Sequence, residues 1–403
     1  MTIKKYTYLF ITLCFILTIS LATLNYIVDP YILFQPQGIF GFNSKKPAAA
    51  ARSRLSKPYN VIKVNPKTIV VGNSRPEMGL DPKSSCWPDQ YGTVYSLTFP
   101  GAGFYAQVRA LLHAVEGTNV ENIVLAVDFS DFLYKRQYEK SFKKEIIWPK
   151  NNSEFFKRFL IDINGKENKN YYLNKVQDYT MTLFSLDTIN DSIYTIMAQG
   201  NNVADRTELG FNPAKDYLEI IHFEGSWVLF EQKHGDLVKR FSKKGMTIYD
   251  SDQWSIELEA LKRVVEMAER ENIQLTIFIN PYHYSYLEII HDKGYWGEFK
   301  NFKKSLVDTV AKYGKGKVGL WDFSLYSEYT VTPIPKKGSE LKKTSFFWEP
   351  AHYKKELGDL MLEDLFDTKC NKKQFNLVGI NLNKAGIDFD KQDKIRVKLL
   401  NTM

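Results

Sequence analysis

A run of 23 residues without a charged side chain, from Tyr6 to Val28, constrains this chain more than any other feature. At about 1.5 Å of rise per residue, a helix of this length crosses the ~30 Å hydrocarbon layer of a membrane. Two lysines precede the run and Asp29 ends it, so the positive-inside rule predicts a cytoplasmic N-terminus and an exported body. We therefore expect a single-pass protein of the cell membrane, with residues 1–28 as a cytoplasmic stub and transmembrane anchor.

The alternative for this run is a cleaved signal peptide. The apolar core of a signal peptide usually covers about 7–15 residues and precedes a cleavage site of small residues. This run is longer and ends in Asn25-Tyr26-Ile27-Val28, so the sequence favours a retained anchor. Cys14 lies in the middle of the run, with apolar residues on both sides, and is not a lipoprotein acceptor.

The composition of the whole chain excludes several classes of protein. Apolar residues make up 44% and charged residues 25% of the 403 residues, which excludes a polytopic membrane protein and a disordered chain. The net charge of +8 is spread over many segments, so we expect no nucleic-acid partner. After the anchor the only cysteines are Cys86 and Cys370, which can form one disulfide but are too few for a zinc–thiolate cluster.

Beyond the anchor, short β-branched runs alternate with amphipathic segments, which predicts a doubly wound parallel α/β sheet. Strands are expected at 67–72, 94–99, 123–127, 275–279 and 318–321, and helices near 105–115, 258–268, 297–313 and 353–366. We predict a membrane-proximal linker at 29–65, an α/β domain at 66–366 with an aromatic insertion or lid at about 129–252, and a short β-rich tail at 367–403.

The first candidate site lies in Gly72-Asn73-Ser74-Arg75, directly after the first predicted strand. Ligands of open parallel sheets bind at the carboxyl ends of the strands, so a hydroxyl at this position is a candidate nucleophile. Glycine permits the tight turn, and a backbone N–H near Ser74 could face a developing oxyanion. The alternative is a serine that only completes a turn or caps a helix.

The second candidate site follows the second strand and contains Gly101 and Gly103. Glycines let backbone amides approach a substrate oxygen, and the N-terminus of the following helix favours negative charge. An ordinary turn between a strand and a helix explains the same residues. The segment lacks the full glycine pattern of dinucleotide-binding proteins, so we expect no such cofactor.

Two further segments place histidines at predicted strand or helix ends. Glu349 and His352 lie three residues apart before the last helix, where the carboxylate could orient the imidazole for general-base catalysis. A structural histidine that caps this helix is the alternative, and no second histidine-rich segment supports a metal site. Asn280 and His283 follow the strand at 275–279 and could donate hydrogen bonds to a substrate oxygen.

The order of these segments resembles that of the SGNH/GDSL hydrolase superfamily. The chain looks most similar to the membrane-anchored branch that includes the DltD-type proteins of teichoic-acid D-alanylation and the acetyltransferase-like proteins of exopolysaccharide modification. The resemblance implies Ser74 as nucleophile, His352 as general base and Glu349 in place of the usual aspartate. It implies Gly101 or Gly103 as an oxyanion-hole residue, and Arg75 joins the substrate-binding candidates.

The resemblance also implies a function, although two motifs differ from the family pattern. The serine motif has Asn73 where many of these hydrolases have aspartate, and the segment from Asp128 to Asp131 lacks the asparagine of the third family motif. We expect a serine O-acyltransferase or esterase that acts outside the membrane on a cell-envelope glycan or teichoic-acid-like polymer. It would need no cofactor, and a multi-span membrane acyltransferase is an expected partner. The alternative is a catalytically inactive scaffold or glycan-binding protein that partners a membrane acyl exporter.

Overall fold

The computed structural model describes residues 3–35, 37–135, 148, 153–201, 203–249, 254–338, 344–370, 376 and 378–401. Within these ranges, α1 (Ile3–Val28) is the one helix that is long and apolar enough to cross a membrane. The mean hydropathy of its most apolar 18-residue window is 2.1, and none of that window is buried inside the protein. The apolar N-terminal segment is therefore an exposed helix of membrane-spanning length, as expected.

The remainder of the described chain contains ten short strands and fourteen further α-helices, together with four 3-10 helices of three residues each. The strands are Thr68–Gly72 (β1), Val94–Thr98 (β2), Asn122–Val127 (β3), Tyr134–Lys135 (β4), Met246–Thr247 (β5), Gln274–Ile279 (β6), Val318–Asp322 (β7), Phe347–Glu349 (β8), His352–Tyr353 (β9) and Ile380–Asn381 (β10). The helices are Ser53–Val64 (α2), Ser74–Gly79 (α3), Phe104–Gly117 (α4), Phe129–Phe132 (α5), Tyr171–Phe184 (α6), Leu186–Met197 (α7), Lys215–Phe223 (α8), Ser226–Phe241 (α9), Ile256–Arg270 (α10), Tyr284–Asp292 (α11), Trp296–Tyr313 (α12), Lys355–Phe366 (α13), Leu382–Ala385 (α14) and Phe389–Leu400 (α15).

Six strands form the central sheet in the order β10-β7-β6-β3-β1-β2. Five of them are parallel, which confirms the predicted α/β class, and β10 pairs antiparallel with β7. The expectation of an entirely parallel sheet is wrong at this edge. The Asp364 carboxylate of α13 accepts hydrogen bonds from the N–H groups of Val378 and Gly379, at 2.7 and 2.8 Å, and so holds the segment that leads into β10.

Apolar layers cover both faces of the sheet. All five residues of β1 are buried, and its side chains alternate between two clusters. Ile69 and Val71 pack in the larger cluster, to which α4, α10 and α12 contribute, whereas Val70 packs with residues of α13 on the other face. Because β1 lies between β2 and β3, the connections diverge there, and the carboxyl end of β1 is the expected place for a ligand site.

The segment between β3 and α10, where an insertion was expected, contains helices α5 to α9. Helices α8 and α9 contribute Ile221 and Leu229 to an apolar cluster that also includes Met78 and Trp348. Met78 belongs to α3 and Trp348 to β8, so these helices pack beside both elements that provide the candidate catalytic residues. Part of the predicted insertion, including 136–147 and 250–253, lies outside the described residues.

The two ends of the α/β body differ from their descriptions in the sequence analysis. The segment 29–65, expected to be a linker, contains the twelve-residue helix α2, in which Tyr59 and Asn60 are buried. The prediction of a β-rich tail is wrong, because helices α14 and α15 follow β10, which is the one strand among the described residues after α13. The side chain of Asp388 accepts a hydrogen bond from Lys391 N–H at 2.9 Å, a helix cap that strand propensity does not anticipate.

The two cysteines of the body, Cys86 and Cys370, form a disulfide with a Cα–Cα distance of 5.0 Å. It links the loop before β2 to the chain that leaves α13, two segments separated by 284 positions. Closing so long a loop lowers the entropy of the unfolded chain and stabilises the fold by about 2–5 kcal/mol.

Helices α3 and α13 approach so closely that only glycine fits at their contact. A methyl group on Gly358 of α13 would lie 1.8 Å from the carbonyl oxygen of Gly79 in α3. A methyl group on Gly79 would lie 1.9 Å from the ring of Tyr353 in β9. This contact brings α3, which begins at Ser74, next to the strand that contains His352.

We expect Gly358→Ala to lower the free energy of unfolding by about 1–3 kcal/mol, because the added methyl group forces the two backbones apart. Gly235→Ala is the matched control, since Gly235 also lies inside a helix but has open space where the methyl group would go. The control should be neutral or stabilising by up to about 1 kcal/mol. Urea unfolding of the detergent-solubilised chain measures both, and equal free energies for the two variants would contradict the close contact.

Candidate active site

Ser74 lies where strand β1 turns into helix α3. Asn73 caps the helix, because its side-chain oxygen accepts a hydrogen bond from Arg75 N–H at 3.0 Å. Ser74 is the first helical residue, so its hydroxyl is not used as the cap, and the residue is partly exposed. The interpretation of Ser74 as a capping serine is therefore excluded.

Glu349 and His352 face each other across the two-stranded hairpin of β8 and β9. Nε2 of His352 lies 2.7 Å from Oγ of Ser74, although the two residues are 278 positions apart in the chain. On the other side of the ring, Nδ1 of His352 is hydrogen-bonded to the Glu349 carboxylate. The structure therefore brings the three residues expected to be catalytic into one hydrogen-bonded row.

The buried Glu349 carboxylate is surrounded by groups that favour its charged form. Burial acts to raise the pKa of Glu349, but the charge and hydrogen bond of His352 outweigh it, with smaller contributions from Lys233 and from Ala351 N–H. Lys233 Nζ is 3.9 Å from one carboxylate oxygen, and Ala351 N–H donates to the other at 2.7 Å. The pKa of Glu349 is thus held below its usual value, and the group is a carboxylate at neutral pH.

A charged Glu349 determines which nitrogen of His352 holds the proton. A carboxylate only accepts hydrogen bonds, so Nδ1 of the ring must be the donor. In the neutral imidazole this leaves Nε2 with a free lone pair, directed at the Ser74 hydroxyl. Ser74 then donates its proton toward Nε2, which is the arrangement that activates a serine as a nucleophile.

Arg75 joins the serine helix to the histidine hairpin from inside the protein. Its Nη1 lies 2.9 Å from an oxygen of Asp128, and its Nε donates to the carbonyl oxygen of Ala351 at 2.9 Å. The guanidinium also lies over the rings of Tyr282 and Tyr286, at 5.3 and 5.7 Å from their centroids. Arg75 was included among the substrate-binding candidates, but its buried donors bind protein groups, which favours a positioning role.

Asp128, at the end of β3, accepts hydrogen bonds from several elements at once. Besides Arg75, its oxygens accept from the amide of Asn73 at 2.5 Å, the amide of Asn280 at 3.0 Å and the hydroxyl of Tyr282 at 2.6 Å. Asn280 was expected to contact substrate, whereas its buried amide nitrogen is used here. The sequence shows only that strand β3 stops at Asp128, so it does not predict that this carboxylate accepts hydrogen bonds from several elements.

His283 is a buried helix cap. Its Nδ1 contacts the hydroxyl and backbone N–H of Ser285 at the start of α11, and its Nε2 lies 3.0 Å from the carbonyl oxygen of Thr332. Burial lowers the pKa of His283 to about 4, so the ring is neutral at physiological pH. These contacts use both ring nitrogens of His283, so neither nitrogen is free in this structure to donate a hydrogen bond to a substrate. The expected donation to substrate stays a prediction.

The glycine loop after β2 begins beside the serine turn. Phe99 N–H donates to the carbonyl oxygen of Gly72 at 3.0 Å, so the two strand ends are adjacent. Gly101 has a φ of +66°, which favours glycine, and Gly103 immediately precedes helix α4. Both glycines therefore lie at the same sheet edge as Ser74, and their use as oxyanion-hole residues stays a prediction.

A second set of buried charges, which the sequence does not predict, holds α3 at Glu77 in addition to Arg75. Glu77 is paired with Lys57 of α2 at 2.9 Å and with Arg206 at 3.1 Å. Lys57 also donates to the carbonyl oxygens of Thr98 and Gly210, both at 2.8 Å. The serine helix is therefore fixed by ion pairs at Arg75 and at Glu77.

Comparison with known proteins does not assign the chain to a family. Neither a scan against protein-family models nor a search of curated proteins finds a match. The resemblance drawn from the motifs stays a prediction.

Asp131 adds a second carboxylate next to Asp128. Its Oδ2 accepts hydrogen bonds from the amides of Gln107 and Asn73, at 2.8 and 3.2 Å. Burial, and then the negative charge of Asp128, raise the pKa of Asp131 to about 7, although Arg75 acts in the opposite direction. Asp131 is therefore protonated in the folded protein at a pH where it is ionised in the unfolded chain, whose value is near 3.8.

This difference makes stability depend on pH in a defined direction. Between pH 4 and 7 the folded state binds a proton that the unfolded state has lost, so the contribution of Asp131 to the free energy of unfolding falls as pH rises. We expect Asp131→Asn to be near neutral at pH 4 and to stabilise the protein at pH 8, as measured by thermal unfolding. Asp390→Asn, at an exposed position, is the control and should show no such change. An equal effect of Asp131→Asn at both pH values would contradict the raised pKa.

Proposed function

We propose that this protein is a serine O-acyltransferase or esterase that acts outside the membrane on a cell-envelope glycan or teichoic-acid-like polymer. The observation that supports this most strongly is the 2.7 Å distance between Ser74 Oγ and His352 Nε2, with Glu349 bound to the opposite ring nitrogen. The partial exposure of Ser74 allows a substrate to reach the hydroxyl.

The proposed reaction has two steps, acylation of Ser74 and transfer of the acyl group to an acceptor, and His352 carries the proton in both. Ser74 Oγ attacks the carbonyl carbon of an acyl donor while its proton moves to Nε2 of His352, and the resulting imidazolium is stabilised by Glu349. The tetrahedral intermediate collapses to an acyl-serine ester, and the same proton passes to the leaving group. A polymer hydroxyl, or water in the esterase reaction, then gives its proton to His352 and attacks the ester carbonyl. As this second tetrahedral intermediate collapses, the bond from the acyl carbon to Ser74 Oγ breaks, and His352 returns the proton to Ser74 Oγ.

Backbone amides are the proposed donors to the oxyanion. Ser74 is the first residue of α3, and the N–H groups of a helix's first turn have no partner within the helix. The Gly101–Gly103 loop lies at the adjacent strand end and offers further N–H groups. Each such donor contributes about 10²–10³ to the rate when it points at the oxyanion.

A cavity that neither Ser74 nor His352 lines, but that reaches the histidine hairpin at Pro350, is the proposed binding groove for a polymeric substrate. It has a volume of about 380 Å³ and is lined by Pro350, which lies between Glu349 and His352, and by residues of α9 that include Trp227. The ammonium group of Lys337 lies 5.4 Å from the centroid of the Trp227 ring. An aromatic face suits a sugar ring, and a lysine suits a phosphate or carboxylate of the polymer.

The proposed location outside the membrane rests on charge and on the disulfide. Two lysines flank the N-terminal end of α1, which favours a cytoplasmic N-terminus. The Cys86–Cys370 disulfide is typical of an oxidising, extracytoplasmic compartment. A multi-span membrane acyltransferase as acyl source is proposed from the motif resemblance alone.

We expect a fluorophosphonate probe to label Ser74 in the wild-type protein and no other residue. Labelling should disappear in Ser74→Ala. Its rate should fall by about 10³-fold or more in His352→Ala, because the serine loses its general base, and by about 10²–10⁴-fold in Glu349→Gln, because the imidazole is no longer held in the tautomer that accepts the proton. His291→Ala is the matched control, since His291 also lies near a carboxylate, Asp292 at 3.6 Å, and should keep the wild-type rate. Intact-mass spectrometry measures the adduct.

The same variants separate the enzyme from the inactive scaffold. In cells that produce the protein, Ser74→Ala at unchanged protein level should lower the ester-linked acyl content of the envelope polymer to that of cells without the protein. Absence of labelling in a folded wild-type protein, together with full polymer acylation in Ser74→Ala, would contradict the enzyme and favour the inactive scaffold or glycan-binding protein.

A further inference from the structure

Helices α6 and α7 expose large apolar side chains to their surroundings. Nine of these side chains are between 46 and 76% exposed, and they form what we term the apolar face: Tyr172, Leu173, Val176, Met181, Phe184, Leu186, Ile193, Tyr194 and Met197. So many large apolar side chains exposed on two consecutive helices exceed the single exposed apolar residues of an ordinary surface and indicate a contact with a protein or a membrane.

The polarity of α7 is inverted relative to a helix on the surface of a soluble protein. The side chains of Thr188, Ser192 and Thr195 are buried, whereas Ile193, Tyr194 and Met197 are exposed. A helix that packs against a core in water buries its apolar stripe and exposes its polar residues. The opposite arrangement indicates that the medium around the exposed side is apolar.

Hydrogen bonds fix both helices to the end of the anchor. The buried side chain of Asn25 in α1 donates to the carbonyl oxygen of Leu183 in α6 at 2.9 Å. It also accepts a hydrogen bond from the hydroxyl of Ser192 in α7 at 2.9 Å. Asn25 lies three residues before the last residue of α1, about 4–5 Å from the helix end. The C-terminal end of α6 and the middle of α7 are therefore held at the level where the apolar run ends.

That level corresponds to a membrane boundary. The uncharged run of α1 is about 34 Å long as a helix, slightly more than the ~30 Å hydrocarbon layer, so its last turn reaches the headgroup region. Tyr26, half exposed in that turn, is a residue type enriched at membrane–water interfaces. The hydrogen bonds of Asn25 place parts of α6 and α7 beside this last turn of the anchor.

A third element projects an apolar side chain at the same level. The turn at Ile39 and Phe40 is joined to the anchor through Asn43, whose amide donates to the carbonyl oxygen of Ile27 at 2.7 Å and whose oxygen accepts from Ile39 N–H at 2.6 Å. Phe40 is 97% exposed. Three separate segments thus present apolar side chains around the end of α1.

We propose that helices α6 and α7, with the turn at Ile39 and Phe40, form a second membrane contact that lies in the headgroup boundary beside the anchor. Lipid of the bilayer covers the apolar face, as it covers the apolar side of interfacial amphipathic helices. With α1 this contact gives the body two points of attachment, which fix its orientation on the membrane. This inference does not depend on the proposed reaction.

Site-specific fluorescence quenching in nanodiscs tests this contact with the full-length chain. An NBD probe is attached to Leu173→Cys or Met197→Cys, one in each helix, in a Cys14→Ser background in which the remaining two cysteines are paired. Asp292→Cys, at an exposed site on α11, is the matched control. Each disc contains one copy of the protein in phosphatidylcholine with or without a lipid that has a doxyl group at carbon 5.

We expect the doxyl lipid to quench the probes on α6 and α7 at least threefold more than the control probe, and aqueous iodide to quench them at least threefold less. Iodide and lipid quenching equal to the control at both positions would overturn the proposal. Shielding from iodide only in discs with two copies would assign the face to self-association. Shielding only in native membranes, and not in pure lipid, would assign it to a protein partner. Either of these two results also overturns the proposal.

Discussion

The buried guanidinium of Arg75 is the group on which the geometry of the site depends. A buried cation is destabilising by several kcal/mol unless it is paired and fully hydrogen-bonded. Arg75 meets this requirement only when Asp128, at the end of β3, and the carbonyl oxygen of Ala351, next to His352, are both in place. The neighbouring Ser74 is thereby held opposite the imidazole. The contacts of Arg75 that complete the sheet edge are therefore the same contacts that align Ser74 with His352.

The contacts of α3 make this alignment rigid. The helix is only six residues long and would not be stable alone, but ion pairs fix it at Arg75 and at Glu77, and its last residue, Gly79, packs against Gly358. A short element held at three points has little freedom to move. This rigidity suits a nucleophile, because the reacting groups of an enzyme must already lie near their reactive geometry.

The sequence predicts the α/β class of the fold and selects three residues that the structure brings into contact, for a physical reason. Strands buried on both faces are continuous apolar runs, and a parallel sheet places the residues that follow them at one edge. Ser74 follows such a strand, and Glu349 and His352 were selected by their spacing of three residues before the last helix. Asn280 and His283 occupy similar positions, however, and only the structure shows that their side chains serve buried hydrogen bonds.

What the sequence does not reveal depends on contacts between distant segments. Arg75 contacts Asp128 and Ala351, which are far away in the chain, and nothing local to Arg75 distinguishes it from a substrate-binding arginine. The same holds for α7, where a periodic pattern shows that the helix has an apolar side but not that this side faces outward. The helices of the tail begin at caps that act through single side chains such as Asp388, and a single side chain leaves no periodic pattern in the sequence. The expectation of a β-rich tail therefore missed them.

The claim that Arg75 positions Ser74 for the proposed reaction is tested most directly by Arg75→Lys. Lysine keeps the positive charge for Asp128, but its single ammonium group cannot also reproduce the planar fork that reaches the carbonyl oxygen of Ala351. The measurement is the rate of fluorophosphonate labelling at Ser74, with circular dichroism and disulfide content verifying the fold. The account predicts a folded variant whose labelling rate is at least tenfold below that of the wild-type protein. A folded Arg75→Lys protein that labels at the wild-type rate would contradict it.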